Sequence, residues 1–157
     1  VIAIGIDPGL SGAIAVLGDA GEVLDLWDMP TVQLGKSGFV KNALDVAGLA
    51  KLLDTAASCK ASVFLERVNA FPGQGVASMF SLGMSFWGAA GVVSALKMPL
   101  HLVEPKDWKG HFRLNADKEL ARGLASRYYP SVNLTRKKDH GRAEALLIAR
   151  YGQETAK

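Results

Sequence analysis

Cysteine is nearly missing from this sequence: Cys59 stands alone. A lone thiol cannot close an internal disulfide, and no thiolate cluster is present for structural zinc. Cys59 is therefore expected to be buried or chemically idle, in a reducing, cytoplasmic compartment. Also missing is an apolar run of bilayer length. The segment from Leu82 to Val93 is the most apolar, but it is short and rich in Gly and Ser, so no membrane role is expected. The opening residues, Val1 to Ile6, run into Asp7 without the basic stretch that begins a signal peptide. No repeat, low-complexity tract or long linker interrupts the chain. Its length suits one compact domain over residues 1–157, with a full hydrophobic core.

Charge is present but unevenly spread. Residues 1–104 hold six Lys and Arg against nine Asp and Glu, and residues 105–157 hold twelve against six. The net charge of +3 thus hides an acidic front and a basic back. A basic third of this kind is the footprint expected of a surface lying along phosphates, although a merely solvated basic face gives the same count.

The hydrophobic pattern opens as a β-meander. Val1 to Ile6, Ala13 to Leu17 and Glu22 to Trp27 read as strands separated by Gly-rich turns. A flexible stretch is expected from Pro30 to Ser37, then a helix from about Leu44 to Ser58 with Leu49, Leu52 and Leu53 on one face. Ala61 to Glu66 reads as a buried strand, Pro72 to Lys97 as a long helical segment, and Pro99 to Val103 as a fifth strand. Two more helices are expected, over Asp117–Tyr129 and from Asp139 to Gly152. The order predicts an α/β fold with a five-stranded mixed sheet flanked by helices.

Acids sit at telling places in this pattern. Asp7 closes the first strand, directly before Pro8-Gly9, and Glu66 closes the fourth. A carboxylate ending an apolar strand is costly to bury unless a partner or a cation meets it. Glu144 lies in the apolar run Ala143-Glu144-Ala145-Leu146-Leu147-Ile148-Ala149, so its carboxylate is expected to look inward. Asp139 reads as a helix N-cap, and His140 shares a helical face with Glu144. Singly, each has an ordinary explanation: a turn, a cap, a surface ion pair, a structural pair of Glu66 with Arg67. Together, four converging acids would hold two Mg²⁺ ions and activate a water for attack on a phosphodiester.

These residues carry a family resemblance. Gly5-Ile6-Asp7-Pro8-Gly9-Leu10-Ser11-Gly12 resembles the opening motif of RuvC-like Holliday-junction resolvases, and Phe64-Leu65-Glu66-Arg67-Val68 resembles their second acidic motif. Phe80-Ser81-Leu82-Gly83 through Glu104-Pro105-Lys106-Asp107-Trp108-Lys109 looks like their long helix, next strand and substrate-facing loop. Asp139-His140-x-x-Ala143-Glu144-Ala145 resembles the last motif, above all in its bacteriophage versions. The resemblance spans nearly the whole chain. It implies an RNase H-like fold, a homodimer, and symmetrical nicking of four-way DNA junctions with Mg²⁺ or Mn²⁺. Asp7, Glu66 and Glu144 carry over as catalytic metal ligands. Cellular members place two acids three residues apart in the last motif, and here the residue three before Glu144 is Gly141. The fourth position therefore falls to Asp139, with His140, as ligand or base, the alternative. Cellular members also wedge an aromatic into the junction soon after the second motif. Phe71 is the nearest candidate, and a loop-anchoring Phe is the other explanation.

Lys106, Lys109, Lys118, Arg122, Arg136, Lys137, Lys138 and Arg142 are the candidates for phosphate contact. Trp108 and His111 are placed to stack on a base, although core packing explains Trp108 as well. The long helix mixes Gly83, Ser85, Gly88, Ala89, Ala90 and Gly91 with Met84, Phe86 and Trp87, which points to packing on its own sheet and against a second protomer. Within nucleases, a flap or debranching endonuclease is the competing function. Outside catalysis, a junction-binding module is the alternative, disfavoured because carboxylates beside phosphates add nothing to binding. Asp7-Pro8-Gly9 before a hairpin also resembles the phosphate loop of actin-like kinases, which need a second such loop and about twice the length.

Overall fold

Both faces of the main sheet are apolar, so each of its inner strands is covered on two sides. A computed structural model describes residues 1–35, 41–57 and 59–156. It opens with β1 (Ala3–Asp7), β2 (Ala13–Leu17) and β3 (Val23–Asp28), an antiparallel meander. A two-stranded ladder of β4 (Thr31–Gln33) and β5 (Asn42–Leu44) follows, and then α1 (Val46–Ala57). β6 (Ser62–Glu66) pairs in parallel with β1, α2 (Val76–Ala95) crosses over, and β7 (Leu100–Val103) pairs in parallel with β6. The main sheet thus runs β3-β2-β1-β6-β7, the five-stranded mixed sheet expected. α3 (Pro105–His111), α4 (Lys118–Tyr128), a single 3₁₀ turn at Lys137–Asp139 and α5 (His140–Thr155) complete the chain.

Three local expectations need correction. The stretch from Pro30, expected to be flexible, contains β4, whose Gln33 pairs with Asn42; Ser37 lies outside the described residues. The first helix begins at Val46, because Asp45 caps it by accepting from Gly48 N at 2.9 Å, and Leu44 belongs to β5. Ser58 also lies outside the described residues. The segment after β7 is a helix, entered through extended Glu104 with Pro105 in its first turn, where a missing N–H costs nothing. Cys59, expected to be buried or chemically idle, is exposed.

Period-two alternation then splits the core. Ile4, Ile6, Ile14, Val16, Val63 and Leu65 point to one face, where they meet Leu49 and Leu53 of α1 and Phe86, Ala89 and Val93 of α2. Ala3, Ala13, Ala15, Leu17 and Phe64 point to the other, under α5 with α3 and α4. By the same alternation, Asp7 and Glu66 belong to this second face. α2 is long and apolar enough to cross a membrane by composition, but Ser85, Phe86, Ala89, Ala90, Val92 and Val93 are buried on it. Gly88 approaches Leu44 of its own chain, which accounts for one of the small residues expected to meet a second protomer.

Small residues let α5 approach the second face closely. A Cβ on Gly5 would overlap the main-chain oxygen of Ala145 and the nitrogen of Ala149. Main chain on main chain leaves nothing that can rotate away. Gly5→Ala is therefore expected to cost about 3 kcal/mol or more in a denaturant melt, above the usual range for overpacking. Gly91→Ala, on a helix position with open space, should be neutral or stabilising by about 0.5–1 kcal/mol. Equal stability of the two variants would show that α5 can move off the sheet.

Candidate active site

Strand register brings the first two acids together. β1 and β6 run in parallel with Ile6 opposite Leu65, so Asp7 and Glu66 are the next residues along two neighbouring strands. α5 crosses this end of the second face and contributes Glu144, 6% exposed, from its second turn. All three line one open cleft of about 290 Å³, with Lys109 from α3, Lys118 from the start of α4, and Phe71, Asn69 and Gln74 from the loop after β6. A larger groove of about 690 Å³, lined by Leu10, Lys41, Asn42 and Ser78, shares Ser11 and Leu82 with it.

Each carboxyl has a different partner. Asp7 accepts from Gly9 N at 3.1 Å within the turn that follows β1. That turn is fastened from behind, because the buried Ser85 hydroxyl of α2 donates to the Pro8 carbonyl. Glu66 accepts from the indole Nε1 of Trp108 at 2.9 Å. Glu144 has the Lys109 ammonium 3.8 Å away. Burial in the cleft wall pushes the Asp7 carboxyl up to about 7, with Glu144 and Glu66 adding repulsion, against the Gly9 amide and Lys118. Burial also raises Glu66, and the Trp108 hydrogen bond opposes it.

The fourth expected acid is elsewhere. Asp139 is 1% exposed, but it does not line the cleft. Its carboxylate accepts from Arg136, at 2.7 Å from Nη2 and 2.9 Å from the backbone N, and this pairing holds it below the usual carboxylate range. It stands at the N-cap position of α5, as expected, but its side chain makes no capping bond to that helix. His140 is no substitute, since its Nε2 lies 2.5 Å from Glu119 Oε1. Gly141 completes the explanation: a Cβ there would run into Ser11 O and Gly12, so the turn after β1 lies where an acid would have to stand.

The basic candidates also divide. Lys109 and Lys118 are in the cleft, and Lys106, Lys137 and Lys138 are exposed. Arg122 is spent on Glu119 and on the carbonyls of Leu134 and Thr135. Arg136 holds Asp139, and Arg142 holds Asp28 at 2.6 Å. Phe71 is 61% exposed at the cleft, so it anchors no core. Trp108 is fully buried, and His111 pairs with Glu154. Arg67, one expected partner of Glu66, pairs instead with Glu104, and sequence reasoning missed Asn69, also tied to Glu104, and Lys41 in the larger groove. Asn69 directly follows the second acidic motif, and Lys41 carried no such signal.

Among the described residues, no three His, Cys, Asp or Glu side chains close around a space of ion size. The donor set still suits a hard divalent cation: three carboxyls share a cleft, and Asp7 carries uncompensated repulsion. Mg²⁺ keeps several waters and needs only one or two carboxylates in direct contact, so a closed protein cage is not required. Asp7, Glu66 and Glu144 are the residues that could hold it.

The raised Asp7 has a thermodynamic signature. With a folded value near 7 against 3.8, its contribution to stability is complete below about pH 4 and is lost as pH rises through 7. Asp7→Asn removes that loss. In chelator, the variant should melt several degrees above the parent at pH 8, an upper bound of about 4 kcal/mol, with the gap closing toward pH 4. Mg²⁺ should raise the parent's melting temperature and leave the variant's nearly unchanged. Parallel melting of the two proteins from pH 4 to 8 would contradict the electrostatic account of the cleft.

No family model matches the sequence, and no curated protein matches it either. Solved structures do. A Thermus thermophilus RuvC in complex with a Holliday junction substrate superposes with a TM-score of 0.66 at 15% identity, over 99% of this chain and 96% of that one. A second Thermus thermophilus RuvC structure gives 0.59 at 14% identity, over 98% and 96%. The fold of this chain is accordingly RuvC-like, an RNase H-type sheet and helix arrangement.

Proposed function

We propose that this chain is a single-domain, divalent-metal-dependent endonuclease that resolves four-way or otherwise branched DNA in the cytoplasm as a homodimer. One observation carries it: Asp7, Glu66 and Glu144 line one open cleft together with Lys109 and Lys118. Mg²⁺ or Mn²⁺ held by the three carboxylates would supply Lewis-acid polarisation of the phosphodiester and a water activated for hydrolysis. Lys109 and Lys118 place positive charge beside the phosphate and offset the carboxylates that would repel it. Lys106, Lys137 and Lys138 contact phosphates farther from the cut and carry no sequence information. Phe71, exposed at the rim, stacks against bases parted at the branch. Asp139 acts through Arg136, setting the start of α5 and with it the place of Glu144.

A flap or debranching nuclease would use the same cleft, and no feature of it favours that substrate. A purely binding module would gain nothing from three carboxyls turned toward phosphate. The deciding assay compares a mobile four-way junction with flap and duplex DNA, with and without Mg²⁺. Paired nicks on the junction are expected only with the metal. Asp7→Asn, Glu66→Gln and Glu144→Gln should each lower cutting by at least about a thousandfold, on the scale of losing a transition-state electrostatic group, while junction binding is kept. Cutting by Glu66→Gln at the parent's rate would remove this active site from consideration.

The dimer rests on the apolar side of α2 that the sheet leaves uncovered. Val76, Phe80 and Trp87 are exposed, Trp87 by 68%, and they line a cavity of about 490 Å³ with Met79 and Gly83. An apolar patch of this kind marks a partner site, and two cuts on opposite strands call for two equal sites related by a two-fold axis. Trp87→Glu with Phe80→Glu is expected to give a folded monomer by light scattering that no longer makes paired cuts. A parent protein that is monomeric at tens of micromolar and still active would exclude the dimer.

A further inference from the structure

A buried indole needs a partner for its N–H, and Trp108 has an unusual one. The side chain is fully buried, and its single donor is spent on Glu66 Oε1 at 2.9 Å. A tryptophan serving packing alone can direct that donor to a backbone carbonyl. Here it is given to a carboxyl of the cleft, carried on a different element 42 residues away in sequence. The next residue, Lys109, sits 5.1 Å above the same ring and 3.8 Å from Glu144. Consecutive residues of α3 thus reach two of the three carboxyls, one by a fixed hydrogen bond and one by charge. A bond from a rigid, buried ring restricts the Glu66 carboxylate to one orientation and occupies one oxygen. Groups behind a metal ligand typically change metal affinity or activity 10–100-fold when removed.

We infer that Trp108 is a positioning residue, whose indole N–H holds Glu66 in the orientation in which it receives a divalent cation. This rests on the metal-dependent reading of the cleft given above. The test replaces the N–H and keeps the ring: Trp108→Phe, and benzothienylalanine at position 108, which retains the bicyclic shape without a donor. Mn²⁺ binding is measured by calorimetry on the intact protein without DNA. Both variants should bind Mn²⁺ roughly 10-fold or more weakly, and the metal concentration for half-maximal junction cutting should rise by a like factor, while the limiting rate at saturating Mn²⁺ changes less than about threefold. In a Glu66→Gln background, the same changes at 108 should add nothing. On the parent protein, Glu66→Gln should shift the indole N–H proton resonance of Trp108, a result that does not depend on how well the Trp108 variants fold.

Unchanged Mn²⁺ affinity in a folded variant without the donor would overturn the positioning role and leave the metal site standing. So would an unmoved indole resonance, or an undiminished effect in the Glu66→Gln background. A parent protein that binds no Mn²⁺ at millimolar concentration would overturn both the site and the inference.

Discussion

Three carboxyl groups lining one cleft repel one another, and much of the surrounding structure answers that repulsion. Sheet register fixes Asp7 beside Glu66, so neither can withdraw without breaking the pairing of β1 with β6. Partial answers come from every side: the Gly9 amide, the Trp108 indole, and the ammonium groups of Lys109 and Lys118. Burial is the chief reason the Asp7 carboxyl stays far above the usual range, with repulsion from Glu144 and Glu66 added, and the Gly9 amide and Lys118 offset it only in part. The repulsion that these groups leave over is what a cation would relieve under the proposed metal-dependent function.

The acids were legible in the sequence because strands alternate. An apolar strand that ends in a carboxylate announces where that carboxylate will be, and two such strands announced Asp7 and Glu66. Glu144 was legible for the complementary reason, an acid alone in an otherwise apolar helical run. Asp139 looked equally well placed, but sequence spacing does not say which neighbour captures a side chain. Arg136, three residues earlier, captures this one, and the 3₁₀ turn before α5 makes the capture possible. The bond from Trp108 to Glu66 was illegible because it joins elements distant in sequence. α3 could have been read from Pro105 in its first turn, and α1's start from Asp45; a reading led by hydrophobic period passes over both signals.

Basic residues teach a related lesson about counting charge. The surplus after residue 104 suggested a long phosphate-binding face, yet Arg122, Arg136 and Arg142 are occupied by the chain's own oxygens. Arginine is suited to that work, since its planar fork can satisfy several acceptors at once. The exposed lysines Lys106, Lys137 and Lys138 keep their charge for solvent and whatever solvent carries. On this chain, the two kinds of base have largely separate duties, one inward and one outward.

The contact at Gly5 bears on how such a protein can change through descent. A distance set by two main chains touching does not depend on which aliphatic side chains fill the rest of the interior. Core residues around α5 that do not touch this contact bear on the place of Glu144 less directly than position 5 does. One methyl group added at position 5 alters it at once. The spacing of the carboxyls is thereby tied to one main-chain contact between β1 and α5. Position 5 is thus where descent has the least freedom if the carboxyls are to keep their places.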